Sequence, residues 1–125
     1  MNAALKKVAK ALHDHALGMP EAWEDSPWGD PVVKVGKKIF VFHSLIDCPE
    51  TTWSMSVKLP MSSAEALATT TSVPTGYGLG RAGWVTITIA ASPKPDLDLL
   101  TDWIEESYRT VAPKKLSRLL DAPST

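Results

Sequence analysis

The sequence predicts an α+β fold, a two-layer sandwich in which helices from both ends of the chain cover one face of an antiparallel sheet. Two observations favour this architecture. Apolar residues recur at helical spacing near both ends, and apolar residues alternate with polar ones in the stretches between. At 125 residues the chain can bury one core, and it contains no internal repeat. We therefore expect a single domain over residues 1–125.

The first predicted element is a helix that ends near Gly18. Its helical spacing places Lys6, Lys7 and Lys10 on the exposed side. The positions predicted to be buried are Leu5, Val8, Ala9, Leu12 and Ala16. Residues 18–31, GMPEAWEDSPWGDP, are rich in Pro, Gly, Asp and Ser, so we expect an irregular loop there.

A hairpin is predicted around Gly36-Lys37, because a glycine at the first central position suits a two-residue type II′ turn. This register pairs Val35 with Lys38, and Val33 with Phe40. It turns one set of side chains toward the core: Val33, Val35, Phe40 and Phe42. It turns the other set outward: Lys34, Ile39, Val41 and His43.

Two later strands show uninterrupted alternation. Residues 51–59 carry an apolar side made of Trp53, Met55, Val57 and Leu59. Residues 84–89 turn one set inward, Val85, Ile87 and Ile89, and the other outward, Trp84, Thr86 and Thr88. Between these strands, Ser62 and Glu65 match a capping box that opens a short helix through about Leu67.

Two helices are predicted at the C-terminal end. The segment Pro93-Lys94-Pro95-Asp96 ends the last strand and starts the first of them. Its buried side would contain Leu97, Leu100, Ile104, Ser107, Tyr108 and Val111. The second helix begins at Pro113 and would pack Leu116, Leu119 and Leu120.

Residues 78–83, GLGRAG, match the G-x-G-x-x-G spacing of a dinucleotide-binding loop, but their context differs. That loop needs a buried strand before it and a helix after it, whose N–H groups hold the pyrophosphate. Here a strand follows, and the preceding ATTTSVPT contains no apolar strand core. We interpret the glycines as a turn, in which Tyr77 and Arg81 are the side chains large enough to touch a partner.

The charge balance argues against a protein that depends on bulk phosphate contacts. Thirteen basic and fourteen acidic side chains give a net charge of −1. The charges are segregated, since residues 11–30 carry five acids and no Lys or Arg, and residues 31–46 carry three lysines and no acid. A local basic face is therefore compatible with a neutral chain. The single Cys48 cannot form an internal disulfide, and no apolar run is long enough to span a membrane, so we expect a cytoplasmic protein.

The sheet face that the helices leave uncovered, which we call the open face, is predicted to carry no carboxylate. Its residues would be Lys34, Ile39, Val41, His43, Thr52, Ser54, Ser56, Lys58, Trp84, Thr86 and Thr88. Such a face is compatible with an ordinary solvated sheet, in which lysines prevent edge pairing. It is equally compatible with a surface for an anionic or planar partner, with lysines for charge and Trp84 for stacking.

Six short motifs, in one order over residues 17–118, resemble the MmcQ/YjbR family of small bacterial proteins. They are Met19-Pro20-Glu21, Trp28-Gly29-Asp30-Pro31, the Lys34-to-Phe40 hairpin, Val57-Lys58, Pro74-x-Gly76-Tyr77 running to Trp84, and Ser107-Tyr108. The resemblance implies a frataxin-like (CyaY-like) sandwich and DNA binding. The implied contacts are Lys34, Lys38, Lys58, Tyr77, Arg81 and Trp84, to which His43 would add a pH-dependent contribution. After Tyr77 the sequence departs from the family, because Arg81 is the only basic residue left where many members carry histidines and a second basic residue.

Other functions have weaker support from the residues. A frataxin-like fold raises iron binding, but the first helix exposes lysines where carboxylates would be needed. His43, Asp47, Cys48 and Glu50 form the only cluster of ligand-type side chains, and their spacing matches no metal motif. We found no nucleophile elbow or paired carboxylates, so we expect no enzyme activity, no metal and no cofactor. The alternative to DNA binding is a module that binds a protein or a small anion, with Ile39, Val41 and Trp84 as an apolar patch.

Overall fold

A computed structural model describes residues 3–26, 31–44, 52–68, 72–75, 82–90 and 95–121. Its six strands are all antiparallel and form one sheet in the order β1-β2-β3-β4-β6-β5. The strands are β1 (Ala22–Asp25), β2 (Val32–Val35), β3 (Lys38–Ser44), β4 (Thr52–Lys58), β5 (Ser72–Pro74) and β6 (Trp84–Ala90). The helices are α1 (Ala3–Leu17), α2 (Ser63–Leu67), α3 (Leu97–Val111) and α4 (Lys114–Ser117), the last continued by a 3₁₀ turn, Arg118–Asp121. The predicted α+β class is confirmed.

The core lies between the sheet and the two long helices. The alternating residues of β4 and β6 are buried as predicted, and Trp53 and Val57 are almost fully enclosed. The predicted apolar sides of α1 and α3 also face this core, and Trp103 joins them. Helix α3 starts after Asp96, whose backbone is extended and whose carboxylate accepts a hydrogen bond from the Leu99 N–H, as an N-cap does.

Two short strands lie in segments that the sequence analysis assigned to loops. The predicted loop over residues 18–31 contains β1, and the segment before the glycines contains β5. Among the described strands, each lies at an edge of the sheet and pairs with one neighbour only. Neither shows the apolar run that identifies a central strand. A contact of 2.5 Å between His13 Nε2 and Glu24 Oε1 also connects β1 to α1.

The β2–β3 hairpin contains a bulge that changes which residues face the core. Gly36 has φ of +62°, as the predicted turn requires, and Val35 pairs with Lys38 as expected. The predicted pairing of Val33 with Phe40 is wrong, because Val33 pairs with Val41. Phe40 is therefore an extra residue in β3.

The bulge exchanges the predicted faces of the second half of β3. Val41 is fully buried with Phe40, whereas Phe42 pairs with Ser56 and turns to the open face. The sequence analysis had predicted the reverse for Val41 and Phe42. The register now pairs His43 with Met55, a core residue, rather than with an open-face residue.

Ser107 of α3 bonds to backbone groups of β3 and β4 beside the bulge. Its hydroxyl donates to the Phe40 carbonyl and accepts a hydrogen bond of 2.8 Å from the Lys58 N–H. Ser107 is fully buried, so water does not compete for these groups. One hydroxyl thus connects α3 to both β3 and β4.

Two further predictions need correction near the helices. The capping box is wrong, because Ser62 makes no side-chain cap bond to α2. Its hydroxyl and N–H, together with the Met61 N–H, donate instead to the Glu106 carboxylate of α3. Leu119 was predicted to pack, but it is 55% exposed because the last turn tightens to a 3₁₀ helix.

Candidate functional site

The hydroxyl groups of the open face bond to one another. Ser56 and Thr86 face each other across β4 and β6 with their oxygens 2.8 Å apart, and Thr75 adds a contact of 3.1 Å to Thr86. The next pair, Ser54 and Thr88, is 3.5 Å apart. These hydroxyls already have protein partners, so a ligand would have to compete with them.

Trp84 lies on the open face as predicted, but it is not the exposed platform that the sequence suggested. Only 7% of the residue is exposed. Its ring packs edge-on against Phe42, with centroids 5.1 Å apart. This contact exists because the β3 bulge turns Phe42 to the same side of the sheet.

The predicted absence of carboxylates from the open face is wrong, because β1 adds Asp25 to it. The Lys34 ammonium contacts the Asp25 carboxylate at 2.6 Å and lies 5.3 Å from the centre of the Trp23 ring. The hydrogen bond from Lys34 lowers the pKa of Asp25, and the Ser26 N–H lowers it further. Lys34 is thus already engaged by two side chains of the neighbouring strand.

The other predicted contacts fall into separate places. Lys58 is half-buried at the end of β4, where it pairs in register with Trp84. Lys38 is exposed at the start of β3. The side chain of His43 lies outside the described residues, and so do Tyr77, Arg81 and most of the glycine segment. The cluster that contains Cys48 also lies outside them.

A groove of about 690 Å³ lies between the β2–β3 hairpin and the junction of α3 and α4. We call it the lysine groove, because three exposed lysines line it: Lys37 and Lys38 on the hairpin and Lys115 on α4. Among the described residues, none of the three has a carboxylate partner. Of the lining residues that the structure describes, Glu21 is the only acid, and Trp23 also lines the groove.

The walls of the lysine groove are held together by contacts between α3 and the first strands. The Tyr108 hydroxyl donates a bond of 2.7 Å to the Pro20 carbonyl, and its ring packs edge-on against Phe40 at 5.2 Å. Helix α3 then ends at Val111, and the extended backbone of Ala112 leads into α4. Pro20, Phe40 and Tyr108 belong to three of the motifs that carried the family resemblance, so these motifs serve the fold.

The sequence analysis missed most of this groove. It assigned Lys37 to a turn and Trp23 to a loop, and it gave Lys115 no role. The available signal was the pair of Lys-Lys doublets at 37–38 and 114–115, which only the tertiary fold places near each other. No three His, Cys, Asp or Glu side chains form a metal-type group in the part of the chain that the structure describes. None of the described helices is long and apolar enough to cross a membrane.

Comparisons with known proteins agree with the fold. It is similar to the crystal structure of Deinococcus radiodurans protein DR2400, which has a DUF419 domain, with a TM-score of 0.67 and 23% identity over 92% of this chain and 88% of that one. A search of curated proteins finds no match. A family model described as YjbR matches residues 17–110, and these residues include β1 to β6 and nearly all of α3. Because the match covers most of the chain, the protein belongs to the YjbR family.

Proposed function

We propose that this protein binds DNA and that the lysine groove is where it holds the phosphates. The observation that carries the proposal is the grouping of Lys37, Lys38 and Lys115 around one concave surface with no carboxylate partner among the described residues. The family resemblance, which implies DNA binding, supports the same function.

Two other lysines are less suited to this role. Lys34 is paired with Asp25 at 2.6 Å, and Lys10 is paired with Asp14 at 2.7 Å. A phosphate would have to displace those carboxylates, whereas none of the three groove lysines is paired with a carboxylate among the described residues. Of the contacts predicted from the sequence, Lys38 thus has the strongest support. The remaining contacts, Lys34, His43, Lys58, Tyr77, Arg81 and Trp84, stay predictions.

The expected affinity is low and depends steeply on salt. The chain has a net charge of −1, so long-range attraction to DNA is weak and binding must come from the local cluster. Three phosphate contacts correspond to a slope of roughly −2 to −3 in a plot of log affinity against log salt concentration.

The test is fluorescence anisotropy with labelled duplex and single-stranded DNA at two salt concentrations. The Lys37/Lys38/Lys115→Ala variant removes the groove lysines. The Lys6/Lys7/Lys10→Ala variant removes the same number of charges from the exposed side of α1 and is the matched control. We expect the groove variant to lose about 100-fold or more in affinity, since three charged contacts of about 1 kcal/mol or more each are removed together. The α1 variant should bind nearly as the natural protein does.

Two results would contradict this proposal. Equal losses in the two variants would mean that overall charge, rather than the groove, controls binding. No binding of either DNA at low salt would exclude the function. Lys58→Ala, measured alongside, tests the open face separately, because Lys58 does not line the groove.

A small anion is the second candidate ligand for the lysine groove. The volume of the groove, about 690 Å³, lies within the usual range of small-molecule pockets. If DNA does not bind, stabilisation of the protein by inorganic pyrophosphate that depends on the same three lysines would favour this alternative. Thermal unfolding with and without pyrophosphate measures it.

A further inference from the structure

Trp23 differs from the other tryptophans that the structure describes. It is 44% exposed, whereas Trp53, Trp84 and Trp103 are at most 7% exposed. It lies on the edge strand β1 and lines the lysine groove. The indole lies outside the core, and its exposed part offers an aromatic surface that a ligand in the groove could contact.

The orientation of the Trp23 ring is fixed by contacts from β2. Its Nε1–H donates a hydrogen bond of 2.9 Å to the carbonyl of Gly36 at the hairpin turn. The Lys34 ammonium lies over the ring, and Asp25 holds that ammonium in place. Because the ring is already oriented, a ligand that stacks on it loses little further conformational entropy.

The groove brings this oriented ring together with cations on both of its walls. Lys37 and Lys38 directly follow Gly36, whose carbonyl holds the indole, and Lys115 lies on the opposite wall. An aromatic platform beside a cationic groove is the arrangement that binds single-stranded nucleic acid, with bases on the ring and phosphates on the lysines. A duplex keeps its bases paired and stacked inside, where this indole cannot reach their faces.

We propose that the lysine groove prefers single-stranded over duplex nucleic acid, with an unpaired base stacked on the Trp23 indole and the flanking phosphates on the groove lysines. This inference rests on the proposed function of the groove and adds the form of nucleic acid that it takes.

The experiment compares three labelled ligands of equal length, about 12 nucleotides, which is within the site sizes of single-strand-binding folds. They are an oligothymidylate, an abasic strand with the same phosphates, and a duplex. All three are titrated against the natural protein at low salt by anisotropy. The abasic strand isolates the stacking contribution without altering the protein, so this comparison does not depend on any variant folding.

Variants then locate the stacking contribution. We expect oligothymidylate to bind about 10-fold more tightly than the abasic strand, which is within the range measured for one stacked base. Trp23→Ala should remove this difference, and Trp23→Phe should keep part of it. Val73→Ala, which truncates an exposed residue on the opposite edge strand, is the control and should change nothing.

The outcomes separate this inference from the proposed function. Equal affinity for the abasic strand and oligothymidylate, with binding still lost in the lysine variant, would overturn the stacking proposal and leave a phosphate-binding groove. Tighter binding of the duplex than of the single strand would overturn it as well. No binding of any of the three ligands would reject the proposed function itself, and the stacking proposal with it.

Discussion

The hydroxyl of Tyr108 donates a hydrogen bond to the carbonyl of Pro20 at 2.7 Å, although the two residues are 88 positions apart in the sequence. This bond joins the end of α3 to the segment that leads into β1. Glu21, which follows Pro20, and Thr110 of α3 both line the lysine groove. The bond therefore connects the stability of the fold to the shape of the candidate site.

Tyr108→Phe tests the contribution of that hydroxyl. Phenylalanine keeps the edge-on ring contact with Phe40 but leaves the Pro20 carbonyl without this donor. We expect the free energy of unfolding to fall by about 1 kcal/mol, measured by urea denaturation. Thr110→Val is the control, since its exposed hydroxyl bonds only within α3, and it should change stability by less than about 0.5 kcal/mol. An unchanged stability in Tyr108→Phe would contradict the role of this bond.

The raised pKa of Tyr108 predicts that the protein loses stability at alkaline pH. Burial raises the pKa of Tyr108 above its usual value of 10.0, and the charge of Glu21 raises it further. The pKa of Tyr108 is higher in the folded protein than in the unfolded chain, so the protonated hydroxyl stabilises the fold fully below about pH 10. This stabilisation is lost as the pH rises through the pKa of the folded protein. The stability difference between the natural protein and Tyr108→Phe should therefore shrink above about pH 10. Urea denaturation at mildly and strongly alkaline pH measures it, and a constant difference would contradict the assignment.

Ser107→Ala should lower the free energy of unfolding more than Tyr108→Phe does. It leaves two buried backbone groups, the Phe40 carbonyl and the Lys58 N–H, without their partner. We expect a loss of about 2–4 kcal/mol, and faster hydrogen exchange at the Lys58 amide. Ser117→Ala is the matched control, because that hydroxyl bonds only to Lys114 within the last helix. Normal exchange at Lys58 in Ser107→Ala would show that the bulge is held by other means.

Lys34→Ala should raise the pKa of Asp25. The hydrogen bond from Lys34 is the largest cause of the lowered pKa, so its loss should move the pKa back toward 3.8. Because the pKa of Asp25 is lower in the folded protein, the Asp25–Lys34 pair stabilises the natural protein above about pH 3.8. This stabilisation is lost as the pH falls through the pKa that Asp25 has in the folded protein. An NMR titration of the Asp25 carboxyl carbon measures the shift. Lys37→Ala, which removes a lysine that does not contact Asp25, should leave it unchanged.

Much of the fold could be predicted from the sequence, because the core strands and helices carry regular periods. In β4, Trp53, Met55 and Val57 alternate with small polar residues, and the structure buries these three. The period fails at β3, where Phe40 and Val41 are consecutive and both buried. A period of two cannot show that bulge, and the Ser107 hydroxyl that bonds to the carbonyl of Phe40 lies 67 positions away in the sequence.

The candidate site was less predictable than the fold. Trp84 was assigned to the correct face, but its exposure depends on Phe42, whose direction the bulge decides. Trp23 was missed because an edge strand of four residues between Pro20 and Pro27 shows no strand pattern. The lysine groove itself depends on the meeting of a hairpin with a helix junction, which no local pattern records.

The two outermost strands of the sheet bear on self-association. Each has unpaired backbone groups along one side, which could recruit a strand from another copy of the chain and begin aggregation. Strand β5 has only three residues and ends at Pro74, which has no N–H to donate. Strand β1 has only four residues and carries two acids, Glu24 and Asp25. Shortness, proline and like charges all oppose such stacking between molecules. The exposed Trp23 and Val73 therefore lie on strands that are poor templates for aggregation, even though both are apolar.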